Sequence, residues 1–233
     1  MFKVIDAHIH LDKYSQKEQK ELLASLHTVE GLISVSMDLA SCKKNMELSN
    51  GYRFIHPAFG WHPEQKLLED HELADLIEWI MKHRKEMCAI GEVGLPYYLK
   101  KQHSEAKKQE EGYVEVLEQF IRLAKNLSKP IVLHAIYEDA PLVCELLEKH
   151  TIQHAHFQWF KGDKKTIERM MKNDWYISVT PDVLYEEEIQ ELARLYPVEQ
   201  MMVETDGPWP FEGPFSGKMT HPIMIHQSIQ EIA

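Results

Sequence analysis

The sequence lacks a long hydrophobic run. Its 233 residues contain no apolar stretch of about 18 residues, the length at which a membrane-spanning helix becomes a candidate. The N-terminal residues also lack a basic segment followed by an apolar run, which is the pattern of a signal peptide. We therefore expect neither a membrane-spanning helix nor a signal peptide.

Cysteine is scarce. The three cysteines, Cys42, Cys88 and Cys144, are widely spaced and odd in number. Their spacing fits neither a disulfide framework nor a zinc-binding pattern, and it suits a reducing compartment. We therefore predict a cytoplasmic protein.

Positive charge is in short supply. The chain has 26 Lys and Arg against 37 Asp and Glu, a formal net charge of −11. This excess of negative charge argues against non-specific binding to nucleic acid, membranes or other anionic surfaces. A local pocket that carries a metal ion is still able to bind an anionic substrate. Nothing in the sequence indicates an oligomeric state.

What the sequence does contain is an alternation of short apolar segments with longer amphipathic ones. The predicted strands are residues 3–9, 31–37, 53–59, 87–93, 130–134, 152–157, 175–180 and 200–204. Residues 73–81 and 114–124 repeat apolar side chains at helical spacing, whereas 38–52 predicts only a short helix. The pattern predicts a parallel α/β sheet, either doubly wound and open or closed into a compact (β/α)8 TIM barrel. In either case we expect one domain over residues 1–233.

The first strand carries polar side chains at every second position, in VIDAHIHLD. Asp6, His8 and His10 share one face of this strand, because side chains two residues apart point the same way. A lone His-x-His pair is as often a surface pair as a metal clamp. The first strand of an α/β fold is normally buried on both faces, however, and buried polar groups need a partner. A metal ion is one such partner.

Polar side chains also stand at the ends of other predicted strands: Glu92, His134, Glu204, Asp206, and the group His154, His156 and Gln158. In a barrel, the carboxyl ends of all eight strands surround one point, which is where active sites lie. This convergence favours the barrel over the open sheet. His, Glu and Asp together suit zinc, manganese or another divalent ion.

At this point the sequence resembles a known family, the TatD-related metal-dependent hydrolases, whose fold is a distorted TIM barrel of the amidohydrolase-like superfamily. The resemblance rests on motifs in the same order along the chain: DAHIHLD, FGWHPE, AIGEVGLPYY, PIVLHA, FKGD, ETDGPW and THP. It implies a hydrolase that uses one or two divalent ions, magnesium or manganese among them, and often a deoxyribonuclease.

The resemblance also implies roles for single residues. His8 and His10 match ligands of a first metal ion, Glu92 matches a bridging carboxylate, and His134 matches a ligand of a second ion. Asp206 matches a ligand that also handles the proton of the attacking water. Glu92 and Asp206 are therefore the expected catalytic carboxylates.

The sequence departs from the family pattern near the expected second ion. Gln158 stands where family members usually have a histidine ligand, and His156 lies two residues earlier, one layer deeper. Both are weak candidates for metal ligands. The arginine that commonly follows the histidine matched by His134 is also missing, and that arginine would be a natural phosphate contact. These departures favour a hydrolase in general more than a nuclease in particular.

The substrate is the least defined part of the prediction. His62 and Trp61 follow the third strand and are candidates for substrate contacts, with packing as the alternative for each. Trp159 and Trp209 follow later strands and raise the same two possibilities. The first hypothesis is hydrolysis of a phosphodiester, in nucleic acid or a small molecule. The alternatives are hydrolysis of a C–N or C–O bond in a small metabolite, and metal binding without turnover.

Overall fold

The computed structural model describes residues 2–233, and its centre is an eight-stranded parallel sheet. Each strand pairs with the next along the chain, in the order β1 to β8. The strands are β1 (Val4–Ile9), β2 (Val29–Val35), β3 (Ile55–Phe59), β4 (Ala89–Gly94), β5 (Ile131–His134), β6 (Ala155–Phe157), β7 (Tyr176–Val179) and β8 (Met201–Val203). All eight predicted strands are confirmed, with ends that differ by up to three residues.

Backbone hydrogen bonds bring the last strand back to the first. The N–H of His10 donates to the carbonyl oxygen of Gly207 at 2.7 Å, and the N–H of Asp206 donates to that of His8 at 2.9 Å. The segment after β8 therefore lies beside the carboxyl end of β1. The sheet is a nearly closed (β/α)8 barrel, which confirms the predicted fold class and excludes the open sheet.

Helices lie between most of the strands. They are α1 (Gln16–Ala24), α2 (Leu39–Gly51), α3 (Asp70–Lys82), α4 (Tyr97–Gln102), α5 (Ser104–Lys108), α6 (Glu110–Leu127), α7 (Ala140–Lys149), α8 (Lys164–Lys172), α9 (Glu187–Leu195) and α10 (Ile225–Ile232). The apolar faces predicted at 73–81 and 114–124 lie on α3 and α6 and are buried in the main hydrophobic cluster. Within residues 2–233, no helix is long and apolar enough to cross a membrane.

The expectation of only a short helix at 38–52 was wrong. Helix α2 has 13 residues, and the side chain of Asp38 caps its first turn by accepting from the backbone N–H of Ser41 at 2.7 Å. Its buried face includes the polar residue Asn45, which bonds to Ser34, Val35 and Ser36 on and just after β2. A helix that buries small and polar groups leaves little apolar periodicity in the sequence.

Candidate metal centre

The two histidines of the opening motif lie at the carboxyl end of β1. Their alternate positions put both rings on the inner face of the barrel, where His8 is fully buried and His10 is 1% exposed. The two Nε2 atoms lie 3.4 Å apart. This pair is the nucleus of the site.

Two carboxylates from other strands reach the same point. Glu92 Oε2, from β4, lies 3.2 Å from His8 Nε2 and 3.3 Å from His10 Nε2. Asp206 Oδ1, from the segment after β8, lies 3.4 Å from each of the same two nitrogens. The structure therefore brings together four of the predicted ligands, two nitrogens and two oxygens, around one point.

The positions of these four atoms suit coordination of a divalent ion better than they suit hydrogen bonds among the four side chains. Their separations lie at or beyond the upper end of the usual range of N–H···O bonds, and neither Glu92 Oε2 nor Asp206 Oδ1 has a hydrogen-bond partner among the described residues. Ligands at about 2.1 Å from a tetrahedral ion stand about 3.4 Å apart, which matches the separations seen here. Nitrogen and carboxylate donors suit zinc and manganese.

The electrostatics of the cluster point the same way. Burial opposes a charge on His8, but Glu92 and Asp206 outweigh it and raise the pKa of His8 well above its usual range. Burial likewise opposes ionisation of Glu92, yet the neighbouring histidines hold its pKa well below the usual value. The carboxylates of Glu92 and Asp206 are thus ionised at a buried point, where protons on the histidines balance their charge. A divalent ion that displaces those protons supplies the same positive charge.

Asp6, two residues before His8, joins β1 to the segment that follows β8. Asp6 is fully buried, and its carboxylate accepts from the backbone N–H of Thr205 at 3.0 Å and from the Thr205 hydroxyl at 2.5 Å. Burial raises the pKa of Asp6 to about 7. Asp6 therefore lies below the donor atoms and aligns the segment that carries Asp206.

The other oxygen of Glu92 faces a second group of side chains. Gln158 Nε2 lies 2.9 Å from Glu92 Oε1, His134 Nδ1 lies 3.2 Å from it, and His62 Nε2 lies 3.5 Å from it. His134 reaches this position because Gly94 pairs with it across β4 and β5: a Cβ on Gly94 would lie 1.9 Å from the His134 carbonyl oxygen. His62, His134 and Gln158 are thus brought together on the far side of Glu92.

Glu64 also belongs to this group, although no role was predicted for it. Its carboxylate accepts from His134 Nε2 at 3.1 Å and from the backbone N–H groups of Tyr98 and Leu99 at 2.8 and 2.6 Å, at the start of α4. Burial alone would raise the pKa of Glu64, but these hydrogen bonds outweigh it and lower the pKa. The available signal was its place two residues after His62, in FGWHPE.

His156 lies away from the group around the histidine pair. Its Nε2 lies 2.6 Å from Ser178 Oγ and 3.7 Å from Glu204 Oε2, in a buried polar layer under the site. Burial lowers the pKa of His156 to about 3 and raises the pKa of Glu204 to about 8. Both are thereby favoured in their neutral forms.

A cavity of about 340 Å³ opens onto these residues. It is lined by His62, Glu64, Tyr98, Leu99, Gln102, His134, Ile136, Gln158, Trp159, Asp206 and Trp209. Among these residues, Trp209 is 43% exposed to solvent. No lysine or arginine is among the described residues that line it.

The expectation that Trp61 contacts substrate is corrected by its position. Trp61 is 2% exposed, lies in the main hydrophobic cluster and stacks on the ring of Tyr113, with ring centroids 5.9 Å apart. An indole ring enclosed in this way packs the helices against the barrel. Trp159 and Trp209 take the place at the cavity that was considered for Trp61.

Comparisons with known proteins agree with this arrangement. A family model described as TatD related DNase matches residues 5–233. An uncharacterized metal-dependent hydrolase from Haemophilus influenzae is 38% identical over 211 residues, which cover 90% of this chain and 83% of that protein. The deoxyribonuclease TATDN3 of Homo sapiens is 26% identical over 216 residues, covering 88% of this chain and 78% of the relative. The crystal structure of YJJV, a TatD homologue from Escherichia coli K12, has a TM-score of 0.85 at 21% identity, over 98% of this chain and 88% of that one.

Proposed function

We propose that a phosphodiester is the substrate of this chain, which belongs to the TatD-related DNase family and is a metal-dependent hydrolase. The observation that carries the proposal is the convergence of His8, His10, Glu92 and Asp206 on one point at the carboxyl end of the barrel. We assign these four residues as the ligands of one divalent ion. Zinc, manganese and magnesium are the candidate ions.

Each side chain has a defined part in this scheme. The ion, when bound, supplies Lewis acidity toward the substrate and toward water. Asp206 belongs to the donor set and also lines the cavity, so its carboxylate is placed to accept a proton from water beside the substrate. Burial of His8, His10 and Glu92 strengthens their electrostatic hold on the ion, because the surroundings screen charge poorly.

Two observations support a phosphodiester. Trp159 and Trp209 line the cavity, and aromatic rings in such positions stack well on nucleobases. The human relative is named a deoxyribonuclease, and it aligns with 88% of this chain. A single-stranded DNA end is the form of nucleic acid that a cavity of about 340 Å³ admits most readily.

The lining of the cavity favours a second candidate. It offers no lysine or arginine among the described residues, and it includes the ionised carboxylate of Glu64. Such a lining accepts an uncharged substrate more easily than a polyanion. Hydrolysis of a C–N or C–O bond in a small metabolite is therefore the alternative function.

A substrate panel separates these candidates. Protein stripped of metal and reloaded with manganese or zinc is incubated with a single-stranded oligonucleotide, bis(p-nitrophenyl) phosphate, a carboxyl ester and an amide. We expect the two phosphodiesters to react fastest, and Asp206→Asn to slow the reaction by about 10²–10⁴-fold. Faster reaction of the ester or amide would favour the alternative. No turnover of any substrate by metal-loaded protein would indicate metal binding without catalysis.

A further inference from the structure

The two oxygens of Glu92 face different surroundings. Oε2 faces the Nε2 atoms of the histidine pair on β1, at 3.2 and 3.3 Å. Oε1 faces Gln158 Nε2, His134 Nδ1 and His62 Nε2, at 2.9, 3.2 and 3.5 Å. The Glu92 carboxylate therefore separates two parts of the site. The part beside Oε2 suits a metal ion, and the part beside Oε1 has different neighbours.

The second side presents N–H groups to Glu92. A carboxylate oxygen only accepts hydrogen bonds, so the Gln158 atom at 2.9 Å from Oε1 is the amide NH2. His62 Nδ1 accepts from the backbone N–H of Glu64 at 3.1 Å, so the neutral ring carries its proton on Nε2, which faces Glu92. Both Gln158 and His62 thus direct hydrogen atoms at the place beside Oε1.

This donor set does not fit a second ion. His62, Glu92 and His134 offer one ligand atom each within 4.8 Å of one another, which would suit an ion by distance alone. An N–H group has no lone pair to give, however, so neither Gln158 nor the Nε2 of His62 is a ligand. His134 donates through Nε2 to Glu64 and keeps a lone pair on Nδ1, but the Gln158 NH2 lies 3.2 Å from that nitrogen and occupies it as a donor. A histidine at this position would offer a nitrogen lone pair where Gln158 offers hydrogen atoms.

We propose that the Gln158 amide takes the place of a second ion beside Glu92. This chain then binds one catalytic ion, to which Glu92 contributes only its Oε2 atom. The inference rests on the proposed function, because it takes Glu92 as a ligand of the first ion. It makes Gln158 a positioning residue, since its NH2 fixes the orientation of the carboxylate. Glu64 completes the arrangement by holding His134 Nε2 at 3.1 Å.

Metal titration of the stripped full-length chain tests the inference without an activity assay. Isothermal titration calorimetry with Mn²⁺ gives the stoichiometry, and the electron paramagnetic resonance signal of free Mn²⁺ reports ions that stay unbound. Three proteins are compared: the unmodified chain, Gln158→His, and Gln102→His as the matched control. Gln102 lines the same cavity but is not among the described hydrogen-bond and ion-pair partners of Glu92, so a histidine there adds a ligand at the wrong place.

The expected results separate the two proposals. The unmodified chain and Gln102→His bind one Mn²⁺ per chain, and any second ion binds about 100-fold more weakly or not at all. Gln158→His binds two. Two ions of similar affinity in the unmodified chain would overturn the inference and leave the proposed function standing, whether or not Gln158→His folds. No bound ion in the unmodified chain would instead overturn the proposed function.

Discussion

The backbone N–H of Asp206 donates to the backbone carbonyl oxygen of His8 at 2.9 Å. This bond joins the segment after the last strand to the first strand, and it sets the side chains of the two residues against each other at 3.4 Å. The same contact that closes the barrel therefore brings together two of the four proposed metal ligands. Two stretches of sequence separated by nearly the whole chain form one site because the sheet is closed.

Asp206→Asn tests the proton-accepting role. Asp206 has a left-handed backbone with φ of 49°, which asparagine also tolerates, so the variant keeps the local conformation. The amide oxygen still coordinates an ion but cannot accept a proton. We expect kcat to fall by about 10²–10⁴-fold. Calorimetry should show that the ion is retained, and a near-normal kcat would remove Asp206 from the reaction.

His8→Ala and His10→Ala each delete one of the two proposed nitrogen ligands. We expect either change to weaken metal binding by at least about 100-fold, because the remaining donors no longer enclose the ion. Mass spectrometric metal analysis of the purified variants measures this directly. His103→Ala, at an exposed residue between α4 and α5, is the control and should keep its metal. Full occupancy in both site variants would place the ion elsewhere.

Asn45→Ala tests the polar packing of α2. The Asn45 side chain donates to the Val35 carbonyl oxygen at 2.9 Å and bonds to the hydroxyls of Ser34 and Ser36 at 2.8 and 3.0 Å, all in buried positions. Truncation leaves these groups unpaired, so we expect the free energy of unfolding to fall by about 2–4 kcal/mol.

Urea denaturation measures the effect of Asn45→Ala. Asn50→Ala, at an exposed position on the same helix, should change stability by less than about 0.5 kcal/mol. Equal effects of the two substitutions would show that the buried bonds add nothing.

Glu118→Gln gives a pH-dependent test far from the metal centre. Lys149, His150 and Arg122 donate to Glu118 Oε1 at 2.8, 2.7 and 3.1 Å, and they lower the pKa of Glu118 to about 2. A carboxylate whose pKa is lowered on folding adds stability above its unfolded value, and that stability is lost as the pH falls toward the folded value. Glu118→Gln should therefore destabilise the protein at pH 6, with the difference shrinking as the pH falls from about 4.5 toward 2.

Denaturation of both proteins across this pH range checks the trend. Glu115→Gln, at an exposed site one turn earlier on α6, is the matched control and should change stability by less than about 0.5 kcal/mol. A Glu118→Gln effect that stays constant with pH would contradict the assigned pKa shift.

The fold and the centre of the candidate site could be predicted because both produce a regular pattern of apolar and polar residues in the sequence. Alternation along β1 put His8 and His10 on one face, and the recurrence of polar residues at strand ends placed Glu92 and Asp206 beside them. A polar side chain on a buried strand is costly unless it has a partner, so each of these residues indicated a possible site. The barrel then followed from the need to bring these strand ends together.

The remainder of the site depends on contacts that have no period in the sequence. Glu64 lies in a loop, and its link to His134 exists only once β3 and β5 are folded. The stacking of the Trp61 ring on Tyr113 depends on the packing of a loop against α6, which the spacing of residues in the sequence does not reveal. The orientation of the Gln158 amide is set by its neighbour Glu92, so the residue type could not tell whether it binds an ion or replaces one.

The most direct test of the account is a joint titration of metal binding and hydrolysis. Metal-stripped protein receives Mn²⁺ in steps, and bound ion and hydrolysis rate are measured on the same samples with the best substrate of the panel. We expect the rate to rise in proportion to bound ion and to reach its plateau at one ion per chain. In Asp206→Asn the plateau should be about 10²–10⁴-fold lower, although that variant binds the ion. Undiminished hydrolysis by the stripped protein, or a rate that does not follow bound ion, would contradict it.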